Sequence, residues 1–309
     1  MTQVLIHAGA FWADTSAMSE AMHQNAEKLS ARGYSRIRRS LVLGDDPADG
    51  WTRLVRRAAG DRHQAVIASD AALSWVPEAR AAAMLRELDD APVKAVLTLR
   101  PLSSAVPAAW LDHVQRGGTE TFGTFVAAVQ ADGLDVLDVV DRWTRLVGTE
   151  GVTVVTVPER CDLALLWHRV CEAMGIDPAD LPDPERRGVG AVDAVAAELV
   201  RRMNERPGGP ERRRPVTLAP RESHPALRLP SAAQEWAVRG GEDVAARLVD
   251  SGGAVVGDVA DRVVTTPPPS GRPTTDSPES LAASVLLDAA VNNLIDLASL
   301  LAPNYENVT

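Results

Sequence analysis

The stretch IHAGAFWADTSAMSEAMHQN, residues 6–25, follows the apolar Val4-Leu5 and carries its run through Ile6 into His7-Ala8-Gly9. Beyond it, Met18, Met22, Ala26 and Leu29 fall on one helical stripe. A strand, a tight loop and a helix in that order form the geometry that holds a phosphate or sulfate. Unpaired N–H groups and the positive end of the helix dipole meet there. Gly9, Thr15 and Ser16 supply a glycine and two hydroxyls. The loop has no lysine, and it carries Asp14. A carboxylate at a helix start caps the helix itself and stands where an anion would sit. At about 4 Å and an effective dielectric of about 20, its repulsion of a phosphate is on the order of several kcal/mol.

Further along the chain, short apolar runs alternate with helical patterns. Residues 40–43, 65–68, 93–99 and 152–157 read as strands covered on both faces. The spacing predicts helices over about 15–32, 48–59, 77–89, 103–116, 121–131, 135–147 and 162–174. This alternation implies an α/β protein, a parallel sheet flanked by helices. Ligands of such sheets bind outside the carboxyl ends of the strands. His7-Ala8-Gly9, Ser69-Asp70 and Arg100 all fall at such ends. After residue 175 the pattern loosens. Helices are expected at 189–206 and 231–251, the latter capped by Ser231 and ended by Gly252-Gly253. ERPGGPERRRP, residues 205–215, reads as a basic loop. TTPPPSGRPTTDSPES, residues 265–280, reads as a low-complexity linker that leads into a helix start at Ser277-Pro278-Glu279. On the last helix Leu287, Val291, Leu294 and Ala298 share one face, which is expected to dock on the body or on a partner. The domains read as 1–264, a linker at 265–278, and a helix and tail at 279–309.

The chain has 309 residues, 45% apolar and 24% charged, which is globular composition with ample material for a core. A net charge of −10 argues against nonspecific binding to nucleic acid or to an anionic membrane surface. No apolar run approaches the roughly 20 residues of a membrane span, and the N-terminus shows no signal-peptide pattern. Cys161 and Cys171 are too far apart for a CxxC site and read as buried thiols in a cytoplasmic protein. His63, His168 and His224 have no metal-ligand spacing, so no metal is expected. His7 reads as a core histidine. Two lysines, Lys28 and Lys94, stand against many arginines, so few lysines are available for catalysis.

The opening stretch resembles the start of P-loop sulfotransferases, above all the sulfotransferase-like proteins common in actinobacteria. Their pattern is a strand, His-x-Gly-x-Pro-Lys-Thr-Gly-Thr-Thr and a helix. His7, Gly9, Thr15 and Ser16 match it, whereas Phe11, Trp12, Ala13 and Asp14 replace the proline, lysine, threonine and glycine. VLTLRPLSSAVPAAWLDHVQRGG, residues 96–118, is similar to a later segment through Thr98, Arg100, Pro107, Ala108 and Trp110. Residues 141–178 are the closest match, with Trp143, Val155-Thr156-Val157-Pro158 and Trp167. SGGAVVGDVADRV, residues 251–263, resembles the closing motif.

The resemblance implies a P-loop sulfotransferase-like fold with a C-terminal helical extension. It also implies the donor 3′-phosphoadenosine 5′-phosphosulfate, whose sulfuryl group passes to a small-molecule hydroxyl or amine. Such transfer works by positioning and by stabilising oxygens that gain charge. The implied donor-binding residues are Gly9, Trp12, Asp14, Thr15, Ser16 and Arg100. Arg100 stands for the 3′-phosphate arginine, and Ser104 or Ser103 replaces the serine that Ala108 lacks. Asp70 is the candidate general base, with a turn or helix-cap role as the plainer alternative. His113, on a helix with Trp110, is a weaker candidate facing the acceptor. Trp12 cannot neutralise charge, because its N–H is a single donor. Losing one preorganised donor costs about 10²–10³ in rate. The expectation is therefore a degenerate, weak or inactive relative that binds a small molecule or a pathway protein. The alternative is an active group-transfer enzyme with a relocated cation. An α/β protein that acts through its C-terminal helix, as a homo-oligomer, is a third reading.

Overall fold

In a computed structural model, the chain is described over residues 2–9, 15–37, 49–60, 63–74, 76–88, 91–132, 136–159, 161–184, 192–206, 218, 220–221, 223–263 and 272–301. It divides into two compact units. The first comprises Met1–Ala105, Leu134–Gly190 and Glu235–Pro267; the second comprises Val106–Gly133, Ala191–Gln234 and Pro268–Thr309.

The first unit is built on six parallel strands: β1 (Gln3–Gly9), β2 (Tyr34–Arg36), β3 (Ala65–Ser69), β4 (Val93–Leu99), β5 (Val152–Thr156) and β7 (Ala254–Val256). They lie in the order β2-β3-β1-β4-β5-β7. β1 is central, with His7 in register with Ser69 on one side and Val96 on the other. All five residues of β3 and of β5 are buried, as both-face coverage requires. Leu5, Ile67, Val96 and Val155 share one face. They pack with Met18 and Met22 of α1 (Thr15–Gln24) and with Leu166, Trp167 and Val170 of α8 (Leu163–Met174). Asp162 caps α8, its Oδ1 accepting from the Leu165 N–H at 2.7 Å, and Gly175 ends it in the left-handed conformation. α7 (Val136–Val147) packs on β4 and β5 and against α4 (Glu78–Arg86), while α3 (Asp49–Ala59) packs on β2 and β3.

The expected helix over 15–32 is two helices. α1 stops at Asn25 and α2 runs Ala26–Ala31. Asn25 is buried, and its Nδ2 donates to the Ala21 carbonyl at 3.0 Å and the Pro182 carbonyl at 3.1 Å. A side chain that takes a backbone carbonyl competes with the helical ladder. The expected strand at 40–43 lies outside the described residues; the strand that borders β3 is the half-buried Tyr34–Arg36. β7, which borders β5, has no counterpart in the sequence reading.

The second unit is largely helical. α5 (Leu102–Gln115) and α10 (Ser231–Asp250) each contain a boundary between the units. α6 (Phe122–Asp132) places Phe122 against Trp110, ring centres 5.3 Å apart. α9 (Ala194–Asn204) begins five residues later than expected, because Asp193 fixes its start. Asp193 Oδ1 accepts from the N–H groups of Val195 and Ala196, and its Oδ2 accepts from the Arg221 N–H and faces His224 Nδ1 at 2.9 Å. A two-residue parallel ladder joins β6 (Ala226–Leu227) to β8 (Thr274–Thr275). α11 (Ala283–Leu301) packs on α9 through Leu286 and Ala289. Residues 265–271, half of the expected linker, lie outside the described residues, as does most of the basic loop.

Candidate functional site

From β1 the chain runs to β2 at one edge, and from β4 it runs to β5 in the opposite direction. The order therefore reverses between β1 and β4, where a parallel sheet opens a crevice at its carboxyl ends. The residues gathered at these ends are His7 and Gly9 from β1, Ser69 and Asp70 from β3, and Thr98 and Arg100 from β4.

His7, Ser69 and Thr98 lie on the same face of the sheet and are buried, as are Asp70 and Arg100. His7 Nδ1 lies 2.8 Å from the Ser69 hydroxyl, and its Nε2 has no hydrogen-bond partner. Burial lowers the His7 pKa to about 4, so the ring is neutral at pH 7. The sequence reading of His7 as a core histidine thus holds for its burial, while its pairing with Ser69 is new. The Asp70 N–H donates to the His7 carbonyl at 3.1 Å and extends the ladder by one bond. Asp70 then leads into the 3-10 turn Ala71–Ser74.

Ser104, expected to serve a ligand phosphate, donates its hydroxyl to the Pro101 carbonyl at 3.2 Å. Ser103 donates to Glu159 Oε2 at 2.9 Å. His113 belongs to the second unit, where its Nε2 pairs with Glu120 and holds that carboxyl below its ordinary range. Trp12 and Asp14 lie outside the described residues. Thr15 and Ser16 form the first turn of α1, and their side chains lie outside the described ones.

Neither lysine reaches this end of the sheet. Lys94 is the second residue of β4, near its amino end, and Lys28 on α2 donates to the Asp180 carbonyl at 2.7 Å. Among the described residues, arginines are placed at the carboxyl side: Arg100 after β4, Arg169 on α8, and Arg262 in the 3-10 turn Val259–Arg262 after β7. Arg169 is committed, its Nη1 donating to Asp261 Oδ2 and to the Thr156 carbonyl, both at 2.6 Å. Arg262 carried no signal in the sequence reading beyond its place in the closing segment.

Cys161 and Cys171 are free, buried thiols, and burial pushes Cys171 up to about 12. Among the described residues no group of three His, Cys, Asp or Glu side chains is placed to hold a metal ion, and no helix is long and apolar enough to cross a membrane. Compared with protein-family models, with curated proteins and with solved structures, the chain matches none.

Proposed function

We propose that the chain is a sulfotransferase-like binding protein, cytoplasmic, with weak or no sulfuryl-transfer activity. Its ligand is an anionic adenosine nucleotide held at the carboxyl ends of β1, β3 and β4. The observation that carries this reading is the placement of charge. Arg100 is buried at the end of a central strand beside the reversal of strand order, while both lysines lie elsewhere. An arginine binds a phosphate through a planar fork of donors. Transfer needs more, because a cation must meet the bridging oxygen as the bond breaks. With Trp12 in the lysine's place and Asp14 in the glycine's, binding outlasts catalysis. Two free cysteines fit a reducing compartment.

The test is a calorimetric titration with 3′-phosphoadenosine 5′-phosphate on the wild type and on Arg100→Ala. Micromolar binding that is lost in the variant is the expected result. Absence of binding at millimolar nucleotide removes the reading. The active-enzyme alternative is tested by incubating the protein with the phosphosulfate donor and a panel of hydroxyl and amine acceptors; sulfated product at catalytic turnover would favour it.

The partner this reading includes is a second copy, paired along α11. Six of the eight large apolar side chains exposed among the described residues lie on this helix: Val285, Leu287, Val291, Leu294, Ile295 and Leu297. Leu287, Val291, Leu294 and Ala298 follow a heptad seam, with leucine at d and valine or alanine at a, a choice that favours two strands. Asp288 and Asp296 are the only charges on α11, and Arg221 already pairs Asp296 at 2.5 Å. A helix without basic residues does not suit an anionic membrane. Sedimentation equilibrium is expected to show a dimer that Leu287→Glu/Leu294→Glu converts to a folded monomer. A wild type that stays monomeric at high concentration would exclude the pairing.

A further inference from the structure

Arg262 is fully buried, and none of its three guanidinium nitrogens has a hydrogen-bond partner. Its backbone is tightly fixed. Asp258 and Asp261 form a reciprocal capping box around the turn, and Gly241 of α10 lies so close to the Arg262 carbonyl that any Cβ there would collide with it. The two carboxylates of its own turn are already engaged. Asp258 Oδ1 accepts from the Ala260 N–H at 2.9 Å. Asp261 Oδ2 accepts from the Thr156 hydroxyl at 2.8 Å and from Arg169 at 2.6 Å. Burial lowers the Arg262 pKa to about 9, which still leaves the group charged at pH 7. A buried charge without a counter-charge is tolerated only at high cost, and a guanidinium presents up to five donors in a fork suited to an oxyanion.

We infer that Arg262 anchors an oxyanion site beyond the carboxyl ends of β5 and β7, taking a phosphate or sulfate group as its counter-charge. This site is separate from the nucleotide reading built on Arg100 and stands without it. The guanidinium is covered, so the ion enters through a local opening of the packing around the turn, and its uptake adds stability by mass action. The bound group is a free ion or the terminal group of a larger ester; the shared chemistry is a tetrahedral oxyanion.

The test is thermal unfolding of the full chain in inorganic phosphate and in sulfate, against chloride of equal ionic strength. The wild type is expected to gain a concentration-dependent rise in midpoint. Arg262→Met and Arg262→Gln are expected to lose that rise entirely, and Arg262→Met to start from a higher midpoint in chloride because an unpaired buried charge is gone. Should Arg262→Met fail to fold, the side-chain Nε–H resonance of Arg262 in the wild type is expected to move on phosphate addition. A wild type indifferent to phosphate and sulfate, or an undiminished rise in Arg262→Gln, overturns the inference. Phosphate stabilisation lost with Arg262, without nucleotide binding at Arg100, would uphold this site and reject the nucleotide reading. The converse pair of results would do the opposite. Glucose 6-phosphate run beside inorganic phosphate separates the sources: an equal rise marks an ester site, and a rise with the free ion alone marks an ion site.

Discussion

Glu198→Ala is expected to destabilise the second unit by about 3–5 kcal/mol, the range for stranding one member of a buried ion pair. Glu198 is fully buried on α9 and binds two arginines. Its Oε2 accepts from Arg201 Nε at 2.7 Å, and its Oε1 accepts from Arg201 Nη2 at 2.8 Å and from Arg202 Nε at 2.7 Å. Arg201 is itself buried, and its remaining bonds run to the Thr119 carbonyl and to Glu205. The Glu198 carboxylate holds the Arg201 guanidinium still more firmly protonated than usual. Without that carboxylate the guanidinium is still charged at pH 7, because an arginine ordinarily titrates far above neutrality. Urea unfolding followed by the fluorescence of Trp110, which is buried in the same unit, measures the loss. The double variant Glu198→Leu/Arg201→Met is expected to recover most of it, because an apolar pair replaces an ionic one at little cost. Failure of the double variant to recover would mean that the network is held by the Arg201 bonds to Thr119 and Glu205 instead.

Trp167→Ala is expected to cost the first unit about 3–5 kcal/mol, as large-to-small changes of buried aromatics do. Trp167 is fully buried on α8, within the core shared by Leu5 of β1, Val96 of β4 and Val155 of β5. Its indole N–H has no partner, so Trp167→Phe removes an unsatisfied donor along with volume and is expected to cost much less than alanine. Chemical unfolding of the two variants side by side checks this. Equal losses would show that the Trp167 volume, and not merely an aromatic ring, holds α8 on the sheet.

The sequence made the central strands legible because they are covered on both faces: Ala65–Ala68 is an uninterrupted apolar run, and Val93–Leu99 and Val152–Thr156 are apolar but for Lys94, Thr98, Thr153 and Thr156. It did not make β2 and β7 legible. Each has three residues and sits at an edge of the sheet, where Tyr34, Ser35 and Arg36 need not be apolar. The break at Asn25 depends on a carbonyl at Pro182, far along the chain, which no local window contains. Arg100 and Asp70 could be placed at strand ends from the runs before them. The His7–Ser69 pairing could not, because it depends on the register between β1 and β3. Arg262 was the least legible of all. Asp-Val-Ala-Asp-Arg carried only a resemblance to a closing motif, and the close approach of Gly241 to the Arg262 carbonyl joins elements that no local window contains.

The division into two units crosses the chain at five boundaries, and each unit is assembled from three separate stretches. No single cut releases either unit as a continuous polypeptide. A fragment ending after β4 keeps the centre of the sheet but lacks β5, α8 and β7, and one starting at α9 lacks α5 and α6. During synthesis the first unit stays incomplete until β7 and the residues after it have left the ribosome, so β5 waits longest with an unpaired edge. Expression of partial chains is thus expected to yield aggregates, and interchanging whole units with another protein requires grafting at several junctions at once.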